Sequence, residues 1–200
     1  MNKKVIYTSI IGKYDSLTEP KYIPKGYDFI CFTDQDIDNP NSIWEIRKVL
    51  PLYKDDTRTA RKYKILPHRF LPEYDLSIWV DGNEIIVGDV DKLQEKYLGN
   101  KNNNWKDNPK IIENQINKYF KEGYPPNNGL IVSGVMFRKH NKKDIIDCME
   151  LWWEELKYGS KRDQLSFNYT SWKCGTSFNW VNQDIRDDGY VLEVKHNKHK

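Results

Sequence analysis

The sequence has few cysteines, no long apolar run and no large excess of charge of either sign. Its three cysteines, Cys31, Cys148 and Cys174, are widely spaced and form no C-x-x-C pair, so neither a disulfide framework nor a cysteine zinc site is indicated. No apolar stretch near the amino terminus reaches the length of a secretion signal or a membrane span. These absences predict a reduced, cytoplasmic protein with no transmembrane segment.

The charge balance argues against a nucleic-acid partner. Lysine and arginine together number 32 and the acidic residues 29, which gives a net charge of +3. Domains that bind nucleic acid usually carry a larger basic excess that is clustered on one face. We therefore predict no nucleic-acid partner. The charge balance does not exclude a small anion as a ligand.

Aromatic residues are plentiful. They make up 14% of the 200 residues and include 7 Trp and 13 Tyr, and such side chains bury a large area each. The length suits one domain with a sizeable core and is short for two. We predict a single globular domain over residues 1–200.

Strand-like and helix-like segments alternate along the chain. Apolar runs of strand length lie at 4–11, 27–33, 44–49, 76–80 and 130–137, and helical patterns lie at 58–65, 111–120 and 144–158. Asp55, Asp56 and Thr57 are capping residues in front of the first helix. The alternation predicts an α/β fold.

The most informative motif is Asp81-Gly82-Asn83, at the end of the apolar run 76–80. A strand that stops there would lift the Asp81 carboxylate and the Asn83 amide out of the sheet, where oxygen ligands can bind Mn²⁺ or Mg²⁺. Gly82 allows the tight bend between them. The alternative is a plain Asp-Gly-Asn turn between two strands, because the same residues are also a strong hairpin signal.

Two further groups of residues fit a site for a phosphorylated ligand. Arg58, Arg61 and Lys62 share one face of the helix before the Asp81 strand, and a cationic face suits a diphosphate or the polar edge of a sugar. Asp163 and Gln164 place an acid and an amide where a loop enters a helix. The alternatives are a solvated helix face for the first group and a helix N-cap for the second.

The carboxyl-terminal segment 195–200 combines His196, a residue type that binds metals, with Lys198 and Lys200. One interpretation is that this segment completes a metal and diphosphate site. The other is a frayed, solvated tail.

Several segments together resemble the glycosyltransferase-like TOD/MUCI family. They are 7–8 with 12–15, 31–34, 59–62, 67–69, 74–83 and 162–169. The sequence is similar, more distantly, to the family-eight retaining glycosyltransferases of the GT-A fold. The resemblance implies an α/β, GT-A-like nucleotide-diphospho-sugar transferase fold, with a central mixed, mostly parallel sheet flanked by helices.

The resemblance also implies a function and roles for individual residues. The expected activity is the metal-dependent transfer of a sugar from a nucleotide-diphosphate donor to a hydroxyl of a glycan or glycoconjugate acceptor. The donor is expected to be UDP-linked and the transfer to be retaining. For the nucleoside, the resemblance places Thr8 and Tyr14 on the base and Asp34 near the base or ribose. For the diphosphate and its metal ion, it places Arg61 and Lys62 on the sugar or diphosphate, Lys198 on the diphosphate, and Asp81, Asn83 and His196 on Mn²⁺ or Mg²⁺. Asp163 and Gln164 would lie beside the reacting sugar.

One departure keeps two other functions open. Asn83 stands where a D-x-D motif has its second acid, and an amide adds no negative charge to a metal site. A non-catalytic module that binds nucleotide sugars or carbohydrates would tolerate this change. A metal-dependent phosphohydrolase with Asp81 as the nucleophile is the less favoured alternative, because it would require an acid at position 83 for proton transfer.

Overall fold

The structure is a computed structural model that describes residues 3–38, 40–88, 107–179 and 189–195. Seven strands lie in these ranges: β1 Lys4–Ile10, β2 Tyr27–Thr33, β3 Glu45–Lys48, β4 Leu76–Val80, β5 Glu84–Ile86, β6 Val135–Arg138 and β7 Val191–Glu193. The described helices are α1 Asp56–Ile65, α2 Pro67–Phe70, α3 Pro109–Lys121, α4 Lys143–Tyr158 and α5 Asp163–Cys174.

The central sheet has five strands in the order β3-β2-β1-β4-β6. The first four run parallel, and β6 is antiparallel to β4. The long runs of buried residues in β1 and β2 suit such a sheet, because its interior strands are covered on both faces. The predicted α/β class and the mixed, mostly parallel sheet are confirmed, and the arrangement is consistent with a GT-A-like fold.

Alternate residues of β1 enter cores on opposite faces of this sheet. Ile6 and Ile10 pack with Phe29, Trp44 and Ile78 on one face. Val5 and Tyr7 belong to the cluster on the other face, which includes Tyr63 of α1 and Leu71 just after α2. A third cluster joins α4 and α5 to the end of α1 through Trp152, Trp153, Phe167 and Ile65. Helix α1 is therefore fixed between the sheet and the α4–α5 pair.

The boundaries of several elements match the sequence predictions closely. Strands β2 and β4 coincide with the predicted runs, and α1 begins at Asp56 with Asp55 as its N-cap. The run 130–137 was predicted too long, since only Val135–Arg138 forms a strand. Residues 131–133 leave the sheet edge and instead contact the neighbourhood of α5, as described below.

The turn at Asp81-Gly82-Asn83 does not connect two paired strands. Strand β4 belongs to the central sheet, whereas β5 pairs with β7 in a separate two-stranded sheet. The motif is therefore a turn between two strands, as the alternative interpretation has it, but not the turn of a hairpin. The chain leaves the central sheet at Asp81, so that the Asp81 side chain lies at the carboxyl end of β4.

Candidate active site

Charged side chains from β4, α1 and α5 converge at the carboxyl ends of the parallel strands. The group contains Asp81, Asp163, Arg61 and Lys64, and we call it the charged cluster. Open α/β sheets bind their ligands at this edge. The cluster therefore lies where a ligand site is expected.

Asp81 accepts two hydrogen bonds on one carboxylate oxygen, Oδ1, which also forms an ion pair with Arg61. The Trp79 indole Nε1 donates at 2.6 Å, the Lys64 ammonium at 3.1 Å, and Arg61 Nη1 lies at 3.5 Å. The other oxygen, Oδ2, makes none of these contacts, and the side chain is 24% exposed. Asp81 is thus anchored through Oδ1.

Asp163 is the buried member of the cluster. Its Oδ2 accepts from Ser133 Oγ at 2.8 Å and lies 2.8 Å from Lys64 Nζ and 3.4 Å from Arg61 Nε. It is the first residue of α5, but no side chain caps that helix, whose N-cap position is Arg162. The N-cap interpretation of Asp163 is therefore wrong, because its carboxylate points to the cations of α1.

Lys64 and Arg61 come from the same side of α1, three residues apart. Lys64 has no exposed side-chain area and bridges Asp81 to Asp163. Arg61 contacts the same two carboxylates and is 24% exposed. Of the two cations, the Arg61 guanidinium is therefore the one that a ligand can reach, because Lys64 is fully buried.

The charges of the cluster stabilise one another. Burial by itself would raise the pKa of Asp163, but the adjacent Arg61 and Lys64 outweigh it and hold that pKa well below its usual range. Burial lowers the pKa of the Lys64 ammonium, and the two carboxylates oppose this effect. Asp163 is therefore ionised at neutral pH, with fixed cations on two sides.

The other basic residues of the predicted helix face lie elsewhere. Arg58 donates to main-chain carbonyls at the end of α4, including that of Lys157 at 2.8 Å, and so caps that helix. The charged neighbours of Lys62 are Arg69 and Lys157, which together with burial lower its pKa. Of the three basic residues, Arg61 alone joins the charged cluster. The second cation of the cluster is Lys64, which the sequence pattern did not indicate.

Asn83 is held by the last described strand. Its Nδ2 donates to Glu193 Oε1 at 3.3 Å and to the Val194 carbonyl at 3.4 Å, while the Val194 N–H donates to the Asn83 carbonyl at 2.7 Å. The Asn83 side chain is thus oriented by β7 and the residue that follows it. His196 and Lys198 lie outside the described residues, and Val194 precedes His196 by two positions.

The residues predicted to contact the base lie along the same edge of the sheet. Thr8 is buried in β1, its Oγ1 has no hydrogen-bond partner among the described residues, and it lines a crevice of about 10 Å³ together with Asp81. Tyr14 is half exposed. It lies close enough to Arg61 to contribute, with Asp163 and Asp81, to the raised pKa of the Arg61 guanidinium. Asp34 accepts from the Gly12 N–H at 2.9 Å, so its carboxylate holds the loop that carries Tyr14.

Gln164 follows Asp163 and is partly exposed. Its Oε1 accepts from Arg162 Nη2 at 2.6 Å. Gln164 is thereby fixed next to the charged cluster but outside its buried part, which makes it accessible to a ligand.

A metal ion would find a limited set of ligands in the described part of the chain. No group of three or more His, Cys, Asp or Glu side chains with metal-site geometry occurs there. Among the predicted ligands that lie in the described residues, Asp81 and Asn83 carry side-chain oxygens of the kind that a hard divalent cation takes. Further ligands would have to come from the donor diphosphate, water or residues outside the described ranges.

The class of protein follows from a family comparison. The model of the "TOD1/MUCI70, glycosyltransferase-like domain" family matches residues 1–106, which is more than half of the 200 residues. The chain belongs to this family. The matched segment contains Arg61, Lys64 and Asp81, whereas Asp163 lies beyond it. Similarity to the family-eight transferases stays a prediction.

A particular relative adds a second finding. The chain is 25% identical to the probable hexosyltransferase MUCI70 of Arabidopsis thaliana over 225 aligned residues, which cover 88% of this chain. The alignment covers 38% of the relative, so this chain spans well under half of that protein's length. None of the described helices is long and apolar enough to cross a membrane.

Proposed function

We propose that this protein is a metal-dependent glycosyltransferase of glycan biosynthesis, which transfers a hexose from a nucleotide-diphosphate sugar to a hydroxyl acceptor. The family and the name of the relative support the reaction class. The observation that carries the proposal is the charged cluster, in which Asp81 and Asp163 share the cations Arg61 and Lys64 at the carboxyl edge of the sheet.

The arrangement suits a donor diphosphate that lies over Arg61. Glycosyl transfer develops negative charge on the departing diphosphate, and a cation already in place stabilises that charge without reorganisation. Asp163 is too buried to touch the sugar and acts by holding Arg61 and Lys64, so we assign it a positioning role. Gln164 is the accessible residue for contact with the reacting sugar.

The bond changes need no covalent intermediate on the protein. The bond between the anomeric carbon and the diphosphate oxygen breaks as the acceptor oxygen bonds to that carbon. For a retaining outcome, the acceptor proton passes to an oxygen of the departing phosphate. The protein's contribution is to bind and orient both substrates and to stabilise the charge on the departing group.

Mn²⁺ or Mg²⁺ would be held by Asp81 Oδ2 and the Asn83 oxygen, with His196 as a further ligand and Lys198 on the diphosphate. When bound, the ion would neutralise charge on the donor phosphates. His196 is included because Val194, which precedes it by two residues, is hydrogen-bonded to Asn83. The chain therefore lies beside Asn83 two residues before it reaches His196. Thr8, Tyr14 and Asp34 would frame the nucleoside, expected to be uridine.

A non-catalytic module for nucleotide sugars or carbohydrates is the second candidate. One observation favours it. The residue at position 83 is an uncharged amide that is hydrogen-bonded to Glu193 and Val194, which weakens the case for a strong metal site. Donor binding without transfer or hydrolysis would distinguish it from an enzyme.

A thermal-shift screen of nucleotide sugars, each with and without Mn²⁺, tests the proposal. A ligand that binds only the native state raises the melting temperature by mass action. We expect at least one nucleotide-diphosphate sugar to raise the melting temperature in the presence of Mn²⁺ more than the nucleoside alone does. No shift with any donor would contradict both candidate functions.

A further inference from the structure

A neutral groove lies beside the charged cluster. It has a volume of about 360 Å³ and is formed by α3, the following loop to Val132, and the start of α5. This volume lies within the range of about 300 to 1,000 Å³ that is usual for small-molecule sites. We call it the α3–α5 groove.

The groove shares a wall with the charged cluster at two points. Val132 lines the groove, and the next residue, Ser133, donates to Asp163. Gln164 also lines the groove, and the preceding residue is Asp163 itself. A ligand in the groove would therefore end at Gln164, the residue that we assign to the reacting sugar, and close to the charged cluster.

The lining combines aromatic rings with amides and carries no charge. Phe120 and Tyr124 contribute rings that are at least partly exposed, whereas the Tyr119 ring is buried and stacked on Tyr169. Asn127, Asn128 and Gln164 contribute amides, and no lining residue is Asp, Glu, Lys, Arg or His. Aromatic faces pack against the C–H faces of sugar rings, and amides hydrogen-bond to hydroxyl groups. This chemistry suits a neutral carbohydrate and offers nothing to a diphosphate.

The rim of the groove is preformed. Asn127 and Gly129 adopt positive φ angles of 60° and 78°, a conformation that Asn and Gly tolerate best. The buried Asn168 donates to the Asn128 carbonyl at 2.8 Å, and the Asn128 amide donates to Tyr124 Oη at 3.2 Å. Ordering this loop in advance reduces the entropy cost of binding.

We propose that the α3–α5 groove binds the acceptor as a neutral oligosaccharide, with the end that receives the new sugar at Gln164. The proposal rests on the proposed function for the identity of the reaction. It adds the location and the uncharged character of the acceptor, which the charged cluster alone does not define.

The test measures binding without turnover. Cellotetraose, xylotetraose and maltotetraose are titrated into the full chain, with tetragalacturonic acid as a charged ligand of equal length, and backbone amide NMR shifts are recorded. We expect at least one neutral tetraose to shift amides in 124–132 and at Gln164, and to do so more strongly than the acid. No shift with any neutral tetraose, or preferential binding of the acid, would overturn the proposal.

Two variants locate the binding. Phe120 is 55% exposed, so Phe120→Ala removes a stacking surface and little core, and it should weaken the tetraose affinity about tenfold. Tyr158→Ala is the matched control, because Tyr158 is an exposed aromatic residue on α4 that does not line the groove. Val132→Lys, which adds a charge at a 57% exposed position, should also weaken binding. Equal affinities for wild type and both groove variants would refute the assignment.

This result can be told apart from failure of the proposed function. If nucleotide sugars bind and are turned over but Phe120→Ala leaves the acceptor KM unchanged, the groove assignment fails and the enzyme assignment stands. If tetraoses bind in the groove and no nucleotide sugar binds, the groove assignment stands and the enzyme assignment fails.

Discussion

Replacement of Lys64 by methionine tests whether the charged cluster holds together as we describe. Methionine has nearly the same length and volume, so the packing change should cost less than about 1.5 kcal/mol. The larger effect is electrostatic. Asp163 would lose an ammonium at 2.8 Å, and Asp81 would lose one at 3.1 Å.

Removing one partner from a buried ion pair costs about 3–5 kcal/mol, because the remaining charge is left uncompensated. Arg61 and Ser133 still contact Asp163, so we expect the lower half of that range. For a domain of this size each kcal/mol lowers the melting temperature by about 2–4 °C. Urea unfolding followed by tryptophan fluorescence measures the change directly.

The matched control is Lys143→Met. Lys143 is 84% exposed and pairs with Asp147 in a surface i,i+4 contact at 2.6 Å, and such pairs contribute about 0.3–0.5 kcal/mol. Equal unfolding midpoints for the two lysine variants would refute the role of Lys64. The double variant Lys64→Met/Asp163→Asn should recover part of the loss, because it removes the unpaired charge as well.

The pH dependence gives a second readout on the same variant. The pKa of Asp163 is lower in the folded protein than in the unfolded chain, so the stability that it contributes is present above the unfolded value of about 3.9 and lost as the pH falls through the folded value. Without Lys64 the folded pKa rises. The stability gap to wild type should thus be full at neutral pH and shrink as the pH falls through the folded pKa of Asp163 in the variant. A gap that is the same at neutral pH and at the most acidic pH at which both proteins still fold would contradict this.

Three further substitutions test the proposed metal and donor contacts. Asp81→Ala should keep cooperative unfolding and abolish donor turnover, since it removes a partly exposed charge and no core volume; full turnover would exclude Asp81 from the site. Asn83→Asp should tighten Mn²⁺ binding as measured by calorimetry. In the metal-free protein it should also lower the free energy of unfolding by about 1–3 kcal/mol, because an amide donor to Glu193 and Val194 is lost. If neither the Mn²⁺ affinity nor the free energy of unfolding changes, Asn83 is not placed as described. His196→Ala should weaken Mn²⁺ affinity without lowering the metal-free melting temperature, and unchanged affinity would remove His196 from the proposed ligands.

Much of the fold could be predicted because local sequence and tertiary packing agree there. Strands β2 and β4 are apolar runs bounded by polar residues, and α1 has its capping Asp55 immediately before it. Strand β7 was not predicted. It is three residues long and pairs with β5 across more than a hundred residues, a contact that no local pattern encodes.

The candidate site was predictable only in part. Asp81 could be found because a polar residue directly follows a buried strand, and Asp163 because an acid and an amide begin a helix. Lys64 could not be found in this way. Lysine is rarely buried without a partner, and its partners Asp81 and Asp163 are brought to it by β4 and α5, which are distant in sequence.

The measurement that tests the central claim most directly is the release of nucleoside diphosphate from a panel of nucleotide sugars, followed by mass spectrometry with Mn²⁺ and an oligosaccharide acceptor present. Wild-type protein should release the nucleoside diphosphate from at least one donor and extend the acceptor by one sugar, and a folded Asp81→Ala variant should do neither. Donor binding without any release or transfer would contradict the assignment as a glycosyltransferase, and equal turnover by the Asp81→Ala variant would contradict the site.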